Sequence, residues 1–86
     1  MDEKELGVIL EEYYDRAKRN QTILQVDLFG IKFGPIIQEN GLSIKKIVQL
    51  SGIGGSYITE VTKAVKLSEY VVIKKKEEKK NEKNEK

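Results

Sequence analysis

"SIKKIVQLSGIGGSYITEVTKAVKL", residues 43–67, contains two short runs of periodic apolar residues on either side of a glycine-rich joint. Ser43 can cap a helix over Ile44 to Leu50, Gly52 permits a tight reversal, and a second helix is expected from about Gly55 or Tyr57 to Lys66. Ile44, Ile47 and Val48 fall on one face of the first helix, Ile58 and Val61 on one face of the second, and Ile53 at the corner. The spacing Ile47-Val48-x-Leu50-x-Gly52-Ile53-x4-Ile58-x2-Val61 thus predicts two helices crossing steeply over a shared core. A generic amphipathic helix would meet only some of these demands.

On the N-terminal side, residues 3–19 repeat Leu6, Ile9, Leu10, Tyr13 and Ala17 at helical spacing. Asp2, Glu3 and Glu5 lie near the positive end of that helix, and Arg16, Lys18 and Arg19 near its negative end. Thr22 to Gln25 reads as a Thr-x-x-Gln capping box, predicting a second helix from Ile23. Leu24, Leu28 and Ile31 recur at helical spacing, although Phe29, Ile31 and Phe33 alternate with small or charged residues as a strand would; the cap favours helix. Gly34–Pro35 is expected to kink or restart it, and Gly41 to stop it. Beyond residue 67, "EYVVI" (69–73) reads as a strand. The final "KKKEEKKNEKNEK" contains no apolar residue and is expected to be a disordered tail. The organisation predicted is one domain over 1–74, with the motif at 43–67, and a charged tail over 75–86.

The chain has 86 residues, with neither cysteine nor histidine. Disulfides and the usual zinc frameworks are excluded, and no credible nucleophile–base pair remains, so neither catalysis nor a cofactor is expected. A body this small is marginally stable alone, and association through the first helix, as a homodimer, is expected to supply the difference. No apolar run approaches a bilayer span, and the acidic "MDEKEL" is unlike a secretion signal; an intracellular, cytoplasmic or nucleoid-associated protein is expected. The lack of Cys, His and Trp with abundant Lys, Glu and Ile fits a thermophilic source. Up to Ile73 nine basic residues face ten acidic ones, a net of −1, whereas seven lysines and four glutamates give the remainder +3. The body is not built as a general polyanion binder.

The stretch "LSIKKIVQLSGIGGSYITEVTKAVKL" followed by "EYVVIK" resembles the winged branch of the helix–turn–helix superfamily, as in many bacterial and archaeal regulators. The resemblance implies a mainly α fold with a rudimentary β element: Leu42 would start a very short strand, and Tyr70–Ile73 would lead into the wing. It also implies that the helix around Gly55–Lys66 enters the major groove of double-stranded DNA. The chain departs from the pattern at Val48, where a small alanine is usual, and at Gly54, where a capping Ser or Thr is usual. Ser56 is the expected substitute cap.

The outward set on the second helix of the motif is Gly55, Ser56, Tyr57, Thr59, Glu60, Thr62, Lys63 and Lys66. Arginine, asparagine and glutamine, which make the strongest base contacts, are missing from it. Phosphate contacts are expected from Lys45, Lys46, Lys63, Lys66 and the Lys74, Lys75, Lys76 cluster, giving salt-sensitive affinity with little sequence information. The expected function is duplex binding, as a transcriptional regulator or a low-selectivity, chromatin-like protein. The competing class is a protein-interaction adaptor, an accessory subunit of a replication or transcription complex, motivated by the neutral body and by Glu60 amid the reading face. Gly52-Ile-Gly54-Gly55 lacks the Lys-Ser/Thr of a phosphate-cradling loop. Tyr13 and Tyr14 point about 100° apart on a helix, so one is expected in the core. The acidic face of the first helix (Glu5, Glu11, Glu12, Asp15) reads as solvated surface.

Overall fold

Four helices follow one another in the computed structural model, which describes residues 1–73. Helix α1, Glu3–Arg16, begins on a reciprocal cap: the Glu5 N–H donates to Asp2 at 2.9 Å, and the Asp2 N–H donates to Glu5 at 3.1 Å. Two of the orphan donors of its first turn are thereby satisfied. Its apolar stripe packs inside the chain, Leu6 and Leu10 without solvent exposure and Ile9 and Tyr13 against the same core. The stripe that motivated dimerisation through this helix is therefore already covered. Tyr13 meets Phe29 and Phe33 edge-on, while Tyr14 points elsewhere, to Tyr57.

Helix α2 runs Thr22–Glu39 without interruption. One expectation is corrected here and another is narrowed. Thr22 is already inside the helix and the N-cap residue is Gln21, with no side-chain cap, so the Thr-x-x-Gln box does not form. Gly34–Pro35 does not restart the helix either. Pro35 is exposed, while Phe33, Gly34 and Ile37 beside it are buried, so packing holds the helix through the missing N–H. The core face is Val26, Phe29, Phe33 and Ile37, interleaved with Gly30 and Gly34. Leu24 is instead half-exposed, and Leu28 and Ile31 lie at the margin. The helix ends as expected at Gly41: the Leu42 N–H donates to Ile37 at 3.0 Å and the Gly41 N–H to Gln38 at 3.3 Å, the paired bonds of a Schellman stop. Leu42 is thus part of a helix cap and starts no strand.

Helix α3, Ile44–Ser51, is capped by the Ser43 hydroxyl, which accepts from the Lys46 N–H at 3.1 Å. Gly52, at φ 80°, ends it in the left-handed region that glycine enters without strain. Ser51 is buried beneath this turn; its hydroxyl donates to the Val48 carbonyl at 2.6 Å and accepts from the Ile53 N–H at 3.3 Å. A short 3-10 turn over Gly55–Tyr57 then leads into helix α4, Ile58–Leu67. Ile47, Val48, Val61 and Val65 complete the core, with Ile44, Ile53 and Ile58 packed against it.

Each motif helix leans chiefly on a helix outside the motif, α3 on α1 and α4 on α2. Glycines make both approaches possible. A Cβ at Gly30 would lie inside the Ala64 methyl, and one at Gly34 would meet Ser68 Cβ at 2.7 Å. A Cβ at Gly7 would stand 3.1 Å from Leu50 Cβ and 3.2 Å from the Ile47 carbonyl. Val48, fully buried where a small residue is usual, fits because the close helix contacts are made at these other positions.

The strand expected over "EYVVI" does not form among the described residues. The chain winds on after α4, with the Glu69 N–H donating to Lys66, Tyr70 to Leu67 and Val71 to Leu67. Gln38 clasps this turn through Glu69 at 3.0 Å. No strand occurs among the described residues, which offer no second extended segment to pair with 71–73. The fold is mainly helical. The predicted disordered tail lies outside the described residues.

Candidate nucleic-acid interface

Helix α4 buries Val61, Ala64, Val65 and the succeeding Ser68 on one side. At 100° per residue, the direction opposite this face is occupied by Thr59, Lys63 and Lys66. All three are exposed, as are Gly55 and Ser56 in the turn leading into the helix. These five of the predicted contacts therefore share one continuous surface. Gly54 stands at φ 107°, a region a capping Ser or Thr would not enter, and no side chain caps the 3-10 turn or α4. Ser56 thus leaves the helix uncapped, and its hydroxyl remains on the surface.

Three members of the predicted outward set are turned inward. Tyr57 is partly buried with its ring 5.6 Å from that of Tyr14, edge to face, and the Tyr14 hydroxyl beside it raises its phenol pKa. The contact joins α1 to the start of the motif's second helix. Thr62 donates its hydroxyl to the Ile58 carbonyl at 2.8 Å. Glu60 swings toward α2: its side chain is only 19% exposed, it faces Asp27, and Lys63 reaches it at 3.5 Å. The contact with Asp27 first, and then the Lys63 ammonium, holds the Glu60 carboxyl below the ordinary range. The acid expected at the centre of the reading face is thus at its inner edge. Lys63, 71% exposed, bridges that edge and solvent.

Lys45 and Lys46 are both exposed on α3. Their surroundings hold a residue that spacing alone did not reveal. Glu3, forty positions earlier in the chain, accepts from the Ser43 N–H at 3.0 Å. That bond, aided by the nearby Lys46 charge, lowers the Glu3 pKa. A helix N-terminus is a ready anion site; here the chain's own carboxylate occupies its approach, so Lys46 faces an internal partner as well as solvent. Lys74, Lys75 and Lys76 lie outside the described residues.

The chemistry available on this surface is hydroxyl and ammonium donation from the exposed face of α4, with its one acid drawn aside. No helix of the described residues is long and apolar enough to cross a membrane. No curated protein and no solved structure matches the chain. A family of HTH-like domains matches residues 2–74, spanning all four helices and the turn between α3 and α4, and the chain belongs to that family.

Proposed function

We propose that this chain is a non-catalytic double-stranded-DNA-binding protein that lays α4 in the major groove and takes most of its affinity from lysines on phosphates. The observation carrying this reading is the exposed Thr59–Lys63–Lys66 face, from whose centre Glu60 turns toward α2 while keeping its 3.5 Å pair with Lys63. Ser56 and Thr59 supply short hydroxyls, which contact phosphate or make weak base contacts. Base discrimination is correspondingly low, which favours an architectural or broadly acting transcriptional role over a reader of one operator.

Membership of the HTH-like family supports the same reading. The adaptor alternative loses one of its two motives with Glu60 withdrawn, and keeps the near-neutral body. The deciding experiment is fluorescence anisotropy of the full chain on labelled duplex at several salt concentrations, with a scrambled duplex as competitor. Affinity should fall steeply with salt, and Lys63→Glu with Lys66→Glu should lower it at least about tenfold at 0.1 M salt. Scrambled duplex should compete within about tenfold. Affinity untouched by the double charge reversal would refute the α4 assignment.

A further inference from the structure

Asp27 on α2 and Glu60 on α4 share the lining of a cavity of about 360 Å³ between the two helices. Lys63 and Lys66 bring the opposing charge, and Tyr70 closes one side. No charged side chain of α1 or α3 lines the cavity among the described residues, and Asp27 is its sole charged contribution from α2. Two carboxylates are both acceptors, so their contact becomes a hydrogen bond only when one carries a proton. Asp27 Oδ1 is sealed from solvent and has no hydrogen-bond donor. Ionised, it would keep an unsatisfied buried oxygen, whereas protonated it donates to Glu60. The proton therefore belongs on Asp27. Burial first, then the hydrogen bond with Glu60 and the Glu60 charge, raise its pKa from 3.8 to about 6, opposed by Lys63.

We propose that Asp27 is a positioning residue for the DNA-binding face: while it holds a proton it keeps Glu60 against α2, and Lys63, 71% exposed and 3.5 Å from Glu60, faces a single carboxylate charge that it can exchange for a phosphate, whereas on losing that proton two carboxylate charges hold Lys63 beside them. This inference rests on the duplex-binding reading above. Asp27, Glu60 and Lys63 together carry no net charge in the first state and −1 in the second. Duplex affinity accordingly rises as pH falls through about 6, by about fivefold at 0.1 M salt, the contribution of roughly one phosphate contact.

The test pairs anisotropy of the full chain on duplex at about pH 5 and about pH 8 with carboxyl-carbon NMR titration of the DNA-free protein. Wild type should bind about fivefold tighter at the lower pH, with a logarithmic salt slope steeper by about 0.9. Asp27→Asn, a permanent stand-in for the protonated acid, should bind tightly at both. Glu60→Gln should bring the Asp27 titration back toward the ordinary carboxylate range. Equal pH dependence in wild type and Asp27→Asn overturns the proposal, as does an Asp27 carboxyl titrating like an ordinary aspartate. Absence of duplex binding at either pH, with Asp27 titrating near 6, would bring down the duplex reading and this inference with it. An ordinary Asp27 titration with duplex binding intact would bring down this inference alone.

Discussion

The seam between α2 and α4 and the seam between α1 and α3 are both made over glycine, yet they differ in tolerance. At Gly30 the backbones come so close that a Cβ would lie inside the Ala64 methyl, with the Ala64 and Val65 backbone 3.2 Å away. At Gly7 a Cβ would stand 3.1 Å from Leu50 Cβ and 3.2 Å from the Ile47 carbonyl and the Ser51 nitrogen, close contacts that a shift of a few tenths of an ångström relieves, with no atom overlapped as at Gly30. The first seam fixes the helix that carries the proposed DNA-binding face, and the second only braces its neighbour. The geometry of the presenting helix is thus set by α2, which lies outside the two-helix motif.

The α2–α4 seam is disrupted most directly at Gly30. Gly30→Ala should lose about 2 kcal/mol of stability by denaturant melting, because overpacking outweighs the gain in helix propensity. Ala64→Gly in the same chain should recover part of that loss, and a double-mutant cycle measures the coupling. Gly34→Ala should cost less, about 1.5 kcal/mol, because part of what its Cβ meets is the Ser68 hydroxyl, which can rotate away as the Ala64 methyl cannot. Ser68→Gly should relieve it.

A chemical probe of the same seam is Asp27→Asn. The Asp27 pKa is raised on folding, so its stabilising contribution is complete below about 3.8 and is lost as pH rises through about 6. The asparagine amide does not ionise over this range. The variant should therefore match wild type near pH 4 and exceed it by about 1 kcal/mol near pH 8, after allowance for partial solvent screening. The smallest effect belongs to the other seam: Gly7→Ala should change stability by no more than about 0.5 kcal/mol, mild crowding offsetting the helix propensity gained. A loss there as large as at Gly30 would erase the distinction between the seams.

Residues 43–67 were legible in the sequence because each requirement leaves a local mark. Ser43 caps, Gly52 reverses the chain, and Ile47, Val48 and Val61 recur at spacings that allow few packings. Helix α2 is apolar nearly all round, so periodicity alone could not select its buried face. The deciding residues there are Gly30 and Gly34, which show their role only opposite Ala64 and Ser68. The strand expected at 69–73 followed from side-chain preference, but a strand also needs a partner, and the backbone after α4 keeps bonding to α4. At the interface the exposed lysines of α3 and α4 were readable from helical phase. The inward turn of Glu60 and the arrival of Glu3 at Ser43 were not, since both depend on partners 33 and 40 residues away in the chain.

The Ala64 methyl and the Ser68 side chain seat directly on the α2 backbone at Gly30 and Gly34, which leaves α4 little room to rock or slide. In the proposed duplex-binding role, a protein so built adapts poorly to an ill-fitting target, and the accommodation falls to the nucleic acid, which must bend or alter its groove width. Any preference among duplexes would then track their pliability more than the letters they carry.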